Sequence, residues 1–245
     1  MRVTFTKDDT VQVFRLGTTT NKKIAEPKEK IVQSYTFSRN QYEYIRYCMN
    51  KGKKPVFKEF FSMDAQNCFD CPFSMNTGGG GCYTHKVMQY SGFVSMLKSL
   101  VKEYGTYTNI QTYNGNEATI LVDLLTIAKD RYVRFGTYGE PSLHPTYIVD
   151  GMSQVAKNWT GYTHQWFKKP EYAKWFMASV HTEIQANKAE ERLGYRSFIA
   201  SDNNDMNAIK CPASKEAGFV SNCSKCGLCS GANGKGKKNV VILEH

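Results

Sequence analysis

The sequence predicts an α/β chain. It reads as a full or partial βα barrel with mostly parallel strands, an N-terminal extension and a C-terminal cysteine-rich loop. Three observations predict this. The chain has 245 residues, 41% hydrophobic and 22% charged, the make-up of a folded domain rather than a disordered tail. From about residue 54, short apolar runs alternate with amphipathic runs through tight loops. Five or six such units follow one another, enough for a full or partial barrel.

Residues 1–53 read as a basic extension packed on the main domain, residues 54–245. Residues 1–60 carry 13 Lys/Arg against 6 Asp/Glu, within a whole-chain net charge of +10. One helix is expected there, Arg39–Met49, from apolar and aromatic positions at Tyr42, Ile45 and Met49. Val56–Phe61 reads as a strand. Phe93–Tyr104 has helical spacing at Val94, Leu97, Leu100 and Val101. Ile110–Tyr113 reads as a short strand, Ala118–Lys129 as a helix and Tyr132–Phe135 as a strand ending at Gly136. Pro145 opens a helix to Lys157, because proline is pre-set for a first turn. Thr160–Gln165 is a weak strand, Pro170–Lys174 one helical turn and Trp175–Val180 a strand. Glu183–Leu193 is a helix closed by Gly194. Tyr195–Ala200 and Asn239–Leu243 are strands.

In either barrel or open sheet, the reactive surface lies at the carboxyl ends of the strands. The residues predicted there are Gly136–Glu140, Thr163-His164, Ser179 with His181 and Thr182, Ser201-Asp202, and Glu244-His245. His164 and His181 are candidate acid/base groups, although hydrogen-bonded structural histidines are commoner. Trp159, Tyr162, Trp166 and Trp175 could stack a base, although core packing is the commoner use of such residues.

The eight cysteines carry the strongest signal. Seven fall into two groups, in segments 68–85 and 211–229. The first is Cys68-x2-Cys71-x10-Cys82-x2-His85, with Gly78–Gly81 inside the long spacer. With His85 it makes a zinc site; without His85 it makes a three-thiolate site with one open position. The second is Cys211, then Cys223-x2-Cys226-x2-Cys229, a spacing suited to a 4Fe–4S cluster or a four-cysteine zinc knuckle. Cys48, in the first predicted helix, reads as a buried thiol. No run of ~18 apolar residues predicts a membrane span. The segment MRVTFTKDDTVQVFRLG has no apolar core of a secretory signal, so a reducing cytoplasm is expected and metal ligation is favoured over disulfides. No phosphate-binding Gly-x4-Gly-Lys-Ser/Thr loop, nucleophile elbow or His-Glu-x2-His helix occurs.

The segment Arg134-Phe135-Gly136-Thr137-Tyr138-Gly139-Glu140-Pro141 resembles the Gly-Glu-Pro segment of radical S-adenosylmethionine enzymes. The resemblance implies a βα barrel, with Glu140 on the methionine amine of S-adenosylmethionine and Gly136 and Gly139 supplying backbone. His164 would line the same cofactor site. It also implies a cluster at Cys68, Cys71 and Cys82 that reduces S-adenosylmethionine to release a 5′-deoxyadenosyl radical, and an auxiliary cluster at the C-terminal cysteines. The chain departs from the family's usual C-x3-C-x2-C spacing. From about residue 60 it also resembles small cysteine-rich bacteriophage proteins of uncertain activity, through Cys82-Tyr83, the Gly136–Glu140 strand exit and Cys223–Cys229 before a last strand. That resemblance implies a host cytoplasm.

Two readings follow. One is an iron–sulfur, radical S-adenosylmethionine-like protein with one or two 4Fe–4S clusters, acting on an unknown substrate for which a nucleotide or nucleic acid is a candidate on charge. The other is a zinc-stabilised binding protein for nucleic acid or a host protein, without catalysis. A cluster-bearing protein that has lost cofactor cleavage stands between them.

Overall fold

The computed structural model describes residues 1–78, 82, 84–201 and 207–243. Strands β1 (Arg2–Lys7) and β2 (Thr10–Gly17) form a hairpin whose two-residue turn is Asp8-Asp9. Both aspartates have positive φ, 48° and 55°, the geometry that matches the right-handed twist of paired strands. β3 (Ile31–Ser38) runs antiparallel to β2 and leads directly into α1 (Arg39–Asn50). Ser38 makes that junction sharp: its Oγ accepts the Gln41 N–H at 3.0 Å, and Gln41 Oε1 accepts the Ser38 N–H at 3.1 Å.

The short helices α2 (Phe57–Ser62) and α3 (Ala65–Cys68) come next, followed by α4 (Val87–Tyr104) and α5 (Glu117–Ala128). Then come β4 (Tyr132–Tyr138), α6 (Thr146–Val155), β5 (Asn158–Thr160), β6 (Tyr162–Thr163) and β7 (Met177–Val180). The chain continues through α7 (Glu183–Leu193), β8 (Ser197–Ser201), β9 (Ile209–Lys210), α8 (Cys223–Cys226) and β10 (Val240–Leu243).

The strands make two five-stranded sheets, ordered β1-β2-β3-β4-β5 and β6-β7-β8-β10-β9. The first is mixed, parallel only across β3-β4-β5; the second is parallel throughout. Neither closes on itself, so the full barrel is not formed. The run Asn158–Thr163 serves both sheets, β5 in one and β6 in the other, with Gly161 at the crossing. A Cβ there would stand 2.4 Å from the Phe176 ring, so only glycine lets the chain cross against that core.

Residues 1–53 are not an outlying extension, since they supply three of the first sheet's five strands. That sheet lies between two helical layers. On one face Phe5, Phe14, Val32 and Phe135 pack with Ile120 and Leu124 of α5 and Ile148 and Met152 of α6. The same core continues into Ala178, Val180, Ile199 and Val241 of the second sheet. On the other face Val11, Val13, Tyr35 and Phe37 meet α1, α2 and α4. α4 offers Phe93, Met96, Leu97, Leu100 and Val101, a single apolar stripe. Each fully buried side chain of this kind contributes about 1.5–3 kcal/mol.

Two expected strands differ. Val56–Phe61 is helical because Phe57, Phe60 and Phe61 share one helical face, two of them fully buried. Ile110–Tyr113 is an irregular segment that touches the β1 edge through one bridge, Thr6 with Thr112. No helix among the described residues is long and apolar enough to cross a membrane.

Candidate metal centres

The C-terminal cysteines are assembled from four directions. Cys211 is fixed at the end of β9, its N–H donating to Val241 O at 2.9 Å. α8 is a single turn, capped by Asn222 Oδ1 on the Lys225 N–H at 3.1 Å and reversed by Gly227 at φ +65°. It carries Cys223 and Cys226 at its two ends. The loop before β3 straps it down: Cys223 and Ser224 N–H donate to Lys23 and Ile24 O, both at 2.9 Å, and Lys225 pairs with Glu26 at 2.7 Å. From β5, Asn158 Nδ2 donates to Ser224 O at 2.6 Å. From the residue before β8, the buried Arg196 guanidinium donates to the carbonyls of Leu228, Gly231 and Lys238. The result is one small cavity, about 20 Å³, lined by Cys211, Cys223, Cys226 and Cys229 with Thr160 and Tyr162. Burial pushes the Cys223 thiol up to about 11, and raises Cys211 and Cys229 as well. Without a cation these groups are thiols, so metal uptake here must release protons.

The N-terminal cysteines lie on a loop across strand exits. Cys68 ends α3, and the chain turns at Phe69 with φ +51°. Cys71 N–H donates to Cys68 O at 3.1 Å, and Cys82 N–H to Phe73 O at 3.2 Å. Asp70 anchors the loop to the end of β6, accepting from Gln165 Nε2 at 2.5 Å and Lys168 Nζ at 2.6 Å. Burial raises the Cys68 thiol well above its ordinary range, and the nearby charges of Asp64, Cys82, Cys71 and Glu140 add to it. These three cysteines are therefore neighbours in space, as expected. Among the described residues, however, no three or more His, Cys, Asp or Glu are arranged to hold a single metal ion.

His85 turns toward a carboxylate. Its ring packs on Phe61 at 4.1 Å, and Nε2 lies 3.8 Å from Asp64 Oδ2. Asp64 is fully buried; its Oδ1 accepts from Ser74 Oγ at 2.6 Å, while Oδ2 and His85 Nδ1 lack hydrogen-bond partners. Burial holds His85 at about 4, a neutral donor.

The Gly-Glu-Pro segment is knitted into the protein. Glu140 is buried, its Oε1 accepting the Ser142 N–H and its Oε2 the His164 N–H, each at 3.1 Å. A Cβ on Gly139 would stand 2.7 Å from Thr36 O, and Gly136 N–H donates to Ser34 Oγ at 2.8 Å. Gly139 admits strand β3 and Gly136 admits the Pro141 ring, where the sequence expected both to admit a ligand. Pairing of Glu140 with a ligand ammonium would use the remaining lone pairs of oxygens already engaged by backbone.

His164 and His181 do reach a common place. Phe73 lies edge-on to both rings, at 6.2 Å and 4.8 Å. His181 Nδ1 is 3.2 Å from Ala200 O. Cys48 is buried in α1, apart from both groups as expected. Tyr83, Gly79–Gly81, Asp202, Glu244 and His245 lie outside the described residues.

Sequence reasoning missed Asp64, Asn67, Arg196 and His144. Of these, Arg196 lay in an expected strand, Tyr195–Ala200, but was given no role. His144 is fully buried beneath Phe14, with Nδ1 2.8 Å from Gln12 Oε1 and Nε2 2.9 Å from Ser34 Oγ. Burial holds it down at about 3. Burial also holds His164 at about 4, reinforced by His181 and opposed by Asp70. Both are neutral when folded but protonate near 6.5 when unfolded. As pH falls below 6.5, the unfolded state takes up protons that the folded state refuses. Stability is therefore full above 6.5 and declines toward the folded values. For His144 the decline is about 1.4 kcal/mol per pH unit. Urea unfolding between pH 7.5 and 5 should show it, and His144→Gln should flatten the profile by about one proton; parallel profiles would remove His144 from the account.

Comparison of the chain with protein-family models, with curated proteins and with solved structures gives no match.

Proposed function

We propose that the chain is an iron–sulfur protein of radical S-adenosylmethionine-like type, with one cluster at Cys211, Cys223, Cys226 and Cys229 and a second at Cys68, Cys71 and Cys82. The observation that carries this is the single cavity lined by all four C-terminal thiols. Four thiols on one cavity, three of them in a C-x2-C-x2-C run, support a shared metal or cluster there. When bound, such clusters supply one-electron chemistry, and a three-cysteine site leaves one iron position for a chelating ligand.

The protein's own part is to bury, orient and exclude water. Asp70 and Phe73, beside Cys68 and Cys71, lie at the exits of β6 and β7, where parallel sheets gather reacting groups. The passage of Asn158–Thr163 through both sheets supports a partial barrel. The net charge of +10, and the exposed Phe167 ring with Lys188 Nζ at 4.9 Å, support a nucleotide or nucleic-acid substrate.

One observation favours zinc at the first site. A carboxylate facing one nitrogen of an imidazole, with the other unpartnered, is how metal-binding histidines are oriented, and Asp64 faces His85 in this way. Anaerobic purification with iron, sulfide and zinc analysis tests both readings. Two clusters give roughly eight irons and eight sulfides per chain. Colourless protein with about two zincs would overturn the iron–sulfur reading.

A further inference from the structure

Between Cys211 and Cys223 the chain makes a hydrogen-bonded spur. Its base is closed by Ser221 N–H, which donates to Pro212 O at 3.1 Å. Its tip is turned by Gly218 N–H on Lys215 O at 2.9 Å and Phe219 N–H on Ser214 O at 3.0 Å. The tip presents Phe219 and Val220, 53% and 75% exposed. Phe219 holds φ +54°, a conformation that a bulky side chain rarely adopts. Glycine or asparagine would sit there with less strain, yet the spur holds an aromatic ring in water. Lys23, from the loop before β3, places Nζ 5.3 Å from the centre of that ring. The carbonyl of the same lysine accepts the Cys223 N–H at 2.9 Å, so spur and loop form one surface. Segments 21–23 and 210–222 carry four exposed lysines, Lys22, Lys23, Lys210 and Lys215, against one acid, Glu216.

Two apolar side chains fall far short of the roughly 800 Å² that each partner gives to a stable protein interface. One aromatic face is enough for one nucleobase, and stacking beside lysines is how proteins hold single strands without reading their sequence. A duplex keeps its base faces stacked on each other and offers none to a side chain. Lys23 covers one face of Phe219, and the exposure of the residue leaves room for a base on the other. We propose that the Phe219 spur is a docking site for single-stranded nucleic acid, with one base stacked on Phe219 and phosphates met by Lys23 and the lysines around it. The inference names a binding surface for the nucleic-acid substrate proposed above and rests on that reading. It does not depend on which metal the flanking cysteines hold.

The test is fluorescence anisotropy of the full chain, purified with its metal counted. The probes are a labelled uridine oligonucleotide of about 12 residues and a duplex of the same length. The chain should prefer the single strand, with an affinity that falls as salt rises. Phe219→Ala should weaken binding about tenfold, within the loss that removal of one stacking ring brings. Lys23→Gln should flatten the log–log salt dependence by about 0.7, the share of one phosphate contact on a single strand. Phe219→Gly relieves the positive φ as it removes the ring. It should therefore bind as poorly as Phe219→Ala while melting no lower than wild type. Variants at Phe219 that bind like wild type, or a wild type that favours the duplex, overturn this inference and leave the substrate to be met on another surface. A wild type that binds neither probe overturns the nucleic-acid reading with it, while iron and sulfide analysis still decides the cofactor.

Discussion

Arg196→Met should unfold the chain at markedly lower urea and free the segment from Leu228 to Lys238. The guanidinium is only 8% exposed and spans three carbonyls: Leu228 O at 2.8 Å, Gly231 O at 3.1 Å and Lys238 O, the last reached by two of its nitrogens. Methionine keeps the apolar stem and removes every donor. Each carbonyl left buried and unpaired costs about 1–3 kcal/mol. Relief of the cost of burying the cation offsets part of this, and burial does weaken Arg196's hold on its proton. The net loss should still reach about 3 kcal/mol, a large share of a typical folding free energy. The loop carries Cys229, so thiol reagents should reach it faster in the variant. A urea midpoint within error of wild type, with unchanged thiol reactivity, would show that the loop is held by other means.

Cys229→Ser should have a larger effect if the C-terminal thiols bind metal. Cys229 is buried among Met177, Val240 and Tyr162, so the change in packing is slight. Oxygen for sulfur in a dry apolar site costs about 1–3 kcal/mol by itself. Loss of a metal-binding free energy that is also folding free energy adds several kcal/mol. For a chain of this length each kcal/mol moves the melting temperature by about 2–4 °C. The melting temperature should therefore fall by roughly 10 °C or more, together with the metal content. Cys48→Ser is the control, buried to 3% exposure but outside both groups. Equal small shifts for the two variants, with metal retained, would remove Cys229 from the ligand set.

Parts of this were legible in advance. α7 announced itself through an amphipathic run and a closing glycine, and Gly194 does adopt φ +69°. The close spacing of Cys223, Cys226 and Cys229 left little choice of geometry, and with Cys211 they line one cavity. The N-terminal sheet was hidden for a physical reason. β2 and β3 are covered by helices on both faces, so neither shows the alternation of a half-exposed strand. Gln12 and Ser34 are polar residues at fully buried positions, satisfied by His144 from a segment more than a hundred residues away. The Asp8-Asp9 turn lacks the glycine that usually marks a tight hairpin. At Gly136 and Gly139 the sequence signalled a close approach, but what approaches is set by the fold: Pro141 at the first and Thr36 of β3 at the second.

The strap before β3 has a consequence for biosynthesis. Glu26 and Glu29 hold α8 through contacts to Asn222, Ser224 and Lys225, across sequence separations of 195 to 199 residues. At about 5–20 residues per second, the ribosome takes roughly 10–40 s to make the second half of each contact after the first. Cys211 is docked by β10, the last of the described strands. The four thiols therefore acquire their common cavity only after Val240–Leu243 has been made. A cofactor taken up by these thiols would enter only after that strand is made, and a chain shortened before Val240 should lack the finished pocket.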